Sequence, residues 1–164
     1  MFAHSAEATA AAVAAVGDAH PRWVKLSPNT AELTAIAEAA VVAGADALVL
    51  TNTVLGMVID TEARRPALGN GGGGLSGPAI HAVSVRAVYE CARALPEVPI
   101  VGVGGISSGV DAIEMVMAGA SAVQVGTAAL AEPRAPWRVQ AEVARWMDDH
   151  GVRSLDEVRG VAHG

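Results

Sequence analysis

The stretch Ile100-Val101-Gly102-Val103-Gly104-Gly105 is the clearest indication of the fold class, because it joins a short apolar strand directly to a glycine turn. Its residues do not alternate between apolar and polar, which is typical of a parallel strand covered on both faces. Similar apolar runs occur before and after this stretch, and each ends in polar or glycine residues. The four predicted strands are Trp23–Leu26, Ala47–Leu50, Ile100–Val103 and residues 122–125.

Helical stretches alternate with these strands and predict four βα units in series. They cover residues 30–43, 79–95, 110–118 and 134–161, and an earlier helix covers residues 5–16. Repeated βα units form a parallel sheet with right-handed crossovers. Two architectures are compatible with this order, a doubly wound sheet and half of a (β/α)8 barrel. Because a whole barrel takes about 250 residues, the length favours an α/β half-barrel.

Composition narrows the class of protein further. The chain has 164 residues, of which 52% are hydrophobic and 17% charged, and this excludes intrinsic disorder. A formal net charge of -6 argues against nucleic acid as a partner. No apolar run is long enough to span a membrane, and residues 1–20 do not resemble a secretory signal. With a single cysteine, Cys91, and no metal-ligand spacing, we expect a cytoplasmic enzyme without a metal site.

Glycines after the last two strands form the strongest candidate site. In a barrel these strands would be the seventh and eighth, whose turns usually hold a phosphate through backbone amides. Gly104 and Gly105 follow one strand, and Gly126 and Thr127 follow the other. Either pair alone fits an ordinary tight turn equally well, but two pairs at neighbouring strand ends favour phosphate binding. The dinucleotide-binding pattern G-x-G-x-x-G does not follow the first strand.

Two polar side chains stand out at the other strands. Lys25 lies inside an otherwise apolar strand, so it either points into a polar cavity or extends to solvent from an edge strand. Asn52 follows the second strand and offers donors and an acceptor to a planar ligand, or serves as an ordinary turn residue. Residues 56–78 are rich in glycine and predict a long functional loop or small excursion.

Other candidates have simpler interpretations. The five histidines share no spacing and are expected at the surface or on helices, while Cys91 is expected in the core. Trp137 and Trp146 are expected to pack the last helix, which Gly151 should interrupt. We find no catalytic triad or paired carboxylates. The chemistry is therefore expected to come from a cofactor.

Five motifs in order resemble the C-terminal half of dihydroorotate dehydrogenases. They are Val24-Lys25-Leu26-Ser27-Pro28-Asn29, Asn52-Thr53 with Leu55-Gly56-Met57 and Ile59-Asp60, Gly73-Gly74-Leu75-Ser76-Gly77-Pro78-Ala79, Gly102-Val103-Gly104-Gly105-Ile106, and the run from Ala118 to Thr127. The resemblance covers nearly the whole chain. Its second and third motifs are more similar to the soluble class 1 enzymes, particularly class 1B, than to the membrane-associated class 2.

The resemblance implies FMN as cofactor and dihydroorotate or orotate as ligand. It implies that Lys25 contacts the flavin ring, that Leu50 lines the same pocket, and that Asn52 and Thr53 bind the substrate ring. It further implies that backbone groups of five residues hold FMN: Gly77, and at the phosphate Gly104, Gly105, Gly126 and Thr127. The implied reaction oxidises dihydroorotate in pyrimidine biosynthesis. In class 1B the electrons pass to an iron-sulfur flavoprotein subunit and finally to NAD.

The resemblance also implies what this chain lacks. The family's catalytic base, a cysteine or serine after the fourth barrel strand, would lie before Met1, so no catalytic residue is expected here and Cys91 does not replace it. We expect residues 1–164 to form one partial domain that is inactive alone and belongs to a homo-oligomer in its full-length form. Alternatives are another FMN-binding or phosphate-binding barrel, such as a dihydropyrimidine dehydrogenase-like domain, or a noncatalytic half-barrel.

Overall fold

The computed structural model describes residues 4–164, and a four-stranded parallel sheet forms its centre. The sheet strands are β1 (Trp23–Leu26), β2 (Ala47–Leu50), β7 (Ile100–Val103) and β8 (Ala122–Gln124). Their order in the sheet is β1-β2-β7-β8, which is their order along the chain. A doubly wound sheet would reverse direction at a switch point, whereas a barrel adds each strand beside the last. The predicted half of an α/β barrel is confirmed.

Helices connect and cover these strands on one face of the sheet. They are α1 (Ala6–Ala14), α2 (Leu33–Val42), α3 (His81–Ala94), α4 (Gly109–Met117), α5 (Thr127–Ala131) and α6 (Ala135–His150). Local sequence explains two of the boundaries. The Ser5 hydroxyl accepts a hydrogen bond from the Ala8 amide at 3.2 Å and caps α1, while Gly151 adopts a left-handed conformation and ends α6.

The strand register divides the sheet into a core face and an open face. Leu26, Leu50 and Gly102 are register partners, and the two leucines are fully buried against the helices. Lys25 is aligned with Val49, and Val49 with Val101, on the opposite face. In a closed barrel that opposite face would line the interior. The core therefore lies between sheet and helices, and the open face carries the lysine.

The predicted excursion is built of two small antiparallel ribbons. One pairs β3 (Val54–Gly56) with β6 (Gly73–Leu75), and the other pairs β4 (Ile59–Asp60) with β5 (Arg65–Pro66). The ribbons project from the carboxyl end of β2 and return the chain to α3. They place the glycine-rich segment beside the turns that follow the sheet strands.

The tail differs from the sequence prediction. The last long helix ends at His150, and the chain continues through two short 3-10 turns, Leu155–Glu157 and Val161–His163. Trp137 is 70% exposed, so its predicted packing role is wrong, because it lies on the outer side of α6. Within residues 4–164, no helix has the length and apolar character needed to cross a bilayer.

Candidate phosphate-binding site

A cavity of about 160 Å³ opens at the carboxyl edge of the sheet. It brings together eight of the nine residues singled out from the sequence: Lys25, Asn52, Thr53, Gly77, Gly104, Gly105, Gly126 and Thr127. They come from the ends of all four strands and from the segment before α3. Binding sites of parallel α/β proteins lie at this edge, so the cavity has the expected position.

Glycine allows the backbone turn after β7 to fit tightly against α3. Gly104 and Gly105 have φ angles of +134° and +71°. A Cβ at Gly105 would lie 2.7 Å from the backbone of His81, and one at Gly104 would collide with Ser84. Any side chain at these positions would both strain the backbone and push α3 away.

Several amide groups around the cavity have no acceptor among the described residues 4–164. Among the hydrogen bonds of residues 4–164, none uses the backbone N–H of Gly77, Gly104, Gly105 or Gly126 as a donor. Nearly all backbone amides away from bulk water find a partner, and Gly77 is buried. A cluster of free N–H groups around a small cavity is an arrangement that suits an anion.

Lys25 adds a positive charge beside these amides. Its ammonium group donates a hydrogen bond to the carbonyl oxygen of Thr51 at 3.2 Å, which holds the side chain over the cavity. Partial burial lowers the pKa of Lys25 from its usual value. A bound anion would favour the charged ammonium, so ligand and lysine would stabilise one another.

Asn52 and Thr53 extend the site toward the small ribbons. The Asn52 side chain is exposed and makes no hydrogen bond with the described residues, so both its donor and its acceptor can face a ligand. Asn29 organises this segment from below, because its Nδ2 donates to the Thr53 carbonyl at 2.9 Å and its Oδ1 accepts from the Leu55 amide at 2.8 Å. Asn29 belongs to a motif noted in the sequence, but its supporting role was not predicted.

Leu50 does not reach the cavity. It is 0% exposed and packs in the core with the helices. In the register it is aligned with Leu26 rather than with Lys25, so its side chain lies on the core face of the sheet. Leu50 is not among the residues that line the cavity, and its place in the flavin pocket through its strand stays a prediction.

Sequence reasoning missed a buried hydroxyl pair behind the cavity. The Thr51 and Ser84 hydroxyl oxygens lie 3.0 Å apart, and Ser84 also donates to the Ile80 carbonyl oxygen at 3.2 Å. These contacts tie the end of β2 to the start of α3. Ser84 sits in an amphipathic helix, and its position one turn from the helix start carries no sequence signal for this contact.

The structure also shows the surroundings of Cys91 and His81, the cysteine and one of the histidines considered in the sequence. Cys91 is fully buried as predicted, and burial together with nearby Glu90 raises the pKa of its thiol to about 12. His81 lies on a helix, in agreement with the expectation for the histidines, and its side chain is only 13% exposed and lies against the Gly104 turn. His81, Asp111 and Glu114 also cluster closely enough to resemble a metal-ligand set.

The cavity suits one end of a larger ligand. Pockets that enclose whole small molecules typically measure about 300–1,000 Å³, and this one is about 160 Å³. Free amides and a nearby lysine match a phosphate group, and the open sheet face beside Lys25 offers room for an attached ring. The residues present therefore fit a phosphorylated ring cofactor such as FMN. Fold and site together define a partial α/β barrel with free amides and a lysine at its carboxyl edge.

Comparisons with known proteins identify the family. The family model for dihydroorotate dehydrogenase matches residues 2–147. The dihydroorotate dehydrogenase B (NAD(+)) catalytic subunit of Pelobacter propionicus is 49% identical over 140 residues, covering 85% of this chain and 46% of that protein. The subunit of the same name from Geobacter sulfurreducens is 45% identical over 162 residues, covering 98% of this chain and 53% of that protein. This chain belongs to the dihydroorotate dehydrogenase family.

A solved structure agrees with this assignment. The dihydroorotate dehydrogenase of Eimeria tenella in complex with ferulenol has a TM-score of 0.71 and 32% sequence identity, over 86% of this chain and 38% of that one. The chain spans about half the length of the curated relatives it matches. The names of these bacterial relatives agree with the class 1B resemblance.

Proposed function

We propose that this chain is the FMN-binding, C-terminal half of a class 1B-like dihydroorotate dehydrogenase, which oxidises dihydroorotate to orotate in pyrimidine biosynthesis. The observation that supports this most strongly is the cavity where Lys25 and the free amides of Gly104, Gly105 and Gly126 meet. FMN, when bound, accepts the hydride from dihydroorotate. Residues 1–164 then form one partial domain of the complete barrel.

We assign the phosphate group of FMN to the glycine turns that follow β7 and β8. Gly104, Gly105, Gly126 and Thr127 offer backbone donors there, and Gly77 closes the cavity from the side of the ribbons. Glycine at these positions leaves room for the ligand to approach the backbone, because a Cβ at Gly126 would project into space with no protein atom within 4 Å. The turns bind and orient, and they transfer no proton.

We assign Lys25 to the flavin ring of FMN. Its ammonium lies over the open face of the sheet, fixed by the Thr51 carbonyl oxygen. A cation in that position would hold and orient the flavin ring of FMN and would favour negative charge on it. Asn52 and Thr53 lie beside it and are assigned to the substrate ring, where the free Asn52 amide would pair with carbonyl and N–H groups.

The proton acceptor for the reaction is assigned to a residue outside this chain. The single cysteine among the 164 residues is buried, and its raised pKa makes it a poor base. We therefore propose that residues 1–164 bind the cofactor but do not turn over dihydroorotate alone. We further propose a homo-oligomeric cytoplasmic enzyme that passes electrons through an iron-sulfur flavoprotein subunit to NAD.

Lys25→Met tests the assignment of the lysine. We expect FMN binding to weaken about ten- to a hundredfold, because loss of one charged contact removes roughly 1.5–3 kcal/mol, while the fold stays intact. Absorbance titration with FMN measures the affinity, and Arg86→Met, which changes an exposed cation on α3, is the matched control. Equal FMN affinity in the Lys25 variant and the control would count against the proposed role.

The substrate is tested in a chimera. The N-terminal half of the Pelobacter propionicus relative is joined to this chain. The flavin absorbance is then followed as dihydroorotate is added to the oxidised chimera and as uracil or thymine is added to the reduced chimera. Reduction by dihydroorotate alone supports the proposal. Reoxidation of the reduced flavin by uracil or thymine, without flavin reduction by dihydroorotate, would instead favour the dihydropyrimidine dehydrogenase-like alternative.

A further inference from the structure

His81 stands directly behind the glycine turn and connects it to the next helix. It is the first residue of α3, and its side chain is largely buried. Its Nδ1 lies 3.1 Å from the Gly104 carbonyl oxygen, and its Nε2 lies 2.8 Å from Oε2 of Glu114 on α4. The side chain does not line the cavity, and the proposed function gives it no role.

Both contacts of the imidazole ring are to acceptors. A carbonyl oxygen and a carboxylate oxygen accept hydrogen bonds, so a ring nitrogen that carries a hydrogen can donate to the acceptor beside it. A second carboxylate oxygen, Oδ1 of Asp111, lies 4.0 Å from Nε2 and adds negative charge on the same side. The ring is thereby held between helix α4 and the turn after β7.

The Gly104 contact controls the direction of a neighbouring amide. The carbonyl oxygen of Gly104 and the N–H of Gly105 belong to one planar trans peptide and point in opposite directions. With φ angles of +134° and +71°, these glycines have backbone freedom that their own side chains cannot restrict. A hydrogen bond that holds the carbonyl oxygen toward His81 therefore turns the Gly105 N–H away from α3.

We propose that His81, held by Glu114, is a positioning residue that orients the Gly104–Gly105 peptide so that its N–H faces a phosphate in the cavity. The identity of the phosphate compound rests on the proposed function, whereas the orientation of the peptide is a property of this chain. The free Gly105 amide is the group whose direction the contact sets.

Two substitutions separate the two contacts of the ring. The side-chain nitrogen of Asn is three bonds from Cα, as is Nδ1 of histidine, so His81→Asn keeps a donor for Gly104. The side-chain nitrogen of Gln is four bonds from Cα, as is Nε2, so His81→Gln keeps a donor for Glu114. If the contact with Gly104 is decisive, Asn preserves the turn and Gln does not.

The primary measurement is the ¹⁵N order parameter of the Gly105 amide in the 164-residue chain without ligand. We expect a value near about 0.85 in the unchanged protein and in His81→Asn, and a fall toward about 0.6 in His81→Gln. The FMN dissociation constant should rise about three- to tenfold in His81→Gln, as expected for one lost hydrogen bond. Arg86→Ala is the control, since it breaks an exposed ion pair on the same helix.

The outcomes distinguish this inference from the proposed function. Equal order parameters in His81→Gln and the unchanged protein, or an equal fall in Asn and Gln, would overturn the positioning role. Failure of the unchanged chain to bind FMN would count against the proposed function, while the order parameter would still decide whether His81 holds the turn.

Discussion

Gly105→Ala gives the most direct test of how tightly the cavity turn is built. Gly105 has a φ of +71°, and a Cβ there would lie 2.7 Å from the N and Cα atoms of His81. Left-handed backbone costs a non-glycine residue about 1–2 kcal/mol. Forcing an extra methyl group into a packed site costs about 1–3 kcal/mol more. We therefore expect the free energy of unfolding to fall by roughly 2–5 kcal/mol.

Gly151→Ala is the matched control for this substitution. Gly151 has a nearly identical φ of +66°, but a Cβ there meets no atom within 4 Å. Only the backbone term applies, so the loss should stay at about 1–2 kcal/mol. Urea denaturation followed by circular dichroism measures both variants. If Gly105→Ala is no less stable than Gly151→Ala, the turn is not pressed against α3 and the description of the cavity is wrong.

The remaining predictions concern two titratable groups. Burial opposes ionisation of Asp111, but hydrogen bonds from Ser107 and Ser108 outweigh the effect of burial and lower the pKa of the carboxyl group. The unfolded chain therefore binds a proton at this residue more readily than the folded chain. The stabilisation is fully present above about pH 3.9 and is lost as the pH falls through the lower pKa of the folded state. Urea midpoints measured between pH 3 and 6 should show a steeper decline for the unchanged chain than for Asp111→Asn, and parallel curves would refute this. Cys91, with a pKa raised to about 12, should react with a thiol reagent only in denaturant, and rapid reaction of the folded chain would contradict its burial.

The strands and the cavity could be predicted because both depend on local sequence. Short apolar runs fixed three sheet strands to the residue, and only the last strand ends one residue earlier than expected, at Gln124. Parallel strands share one carboxyl edge, so the residues that follow them had to meet there. Lys25 could be singled out because a charge inside an apolar strand needs a polar environment.

The sequence predicts least well where a position depends on the register or rotation of an element. Which face of the sheet Leu50 occupies depends on its alignment with Leu26, and the sequence of one strand does not determine that alignment. His81 and Ser84 lie on a helix whose rotation against the Gly104 turn follows from packing. The predicted packing of Trp137 is wrong because a large apolar side chain is not always buried.

Titration of the 164-residue chain with FMN, followed by absorbance with an aggregation check, tests the central claim most directly. We expect shifted and structured flavin bands that saturate at one FMN per chain, because the free amides and Lys25 are all supplied by these residues. The Gly126→Ala variant should stay folded but bind FMN less tightly, since its added methyl group enters open space at the cavity. A soluble, folded chain that leaves the flavin spectrum unchanged would contradict the assignment of the cavity as an FMN site.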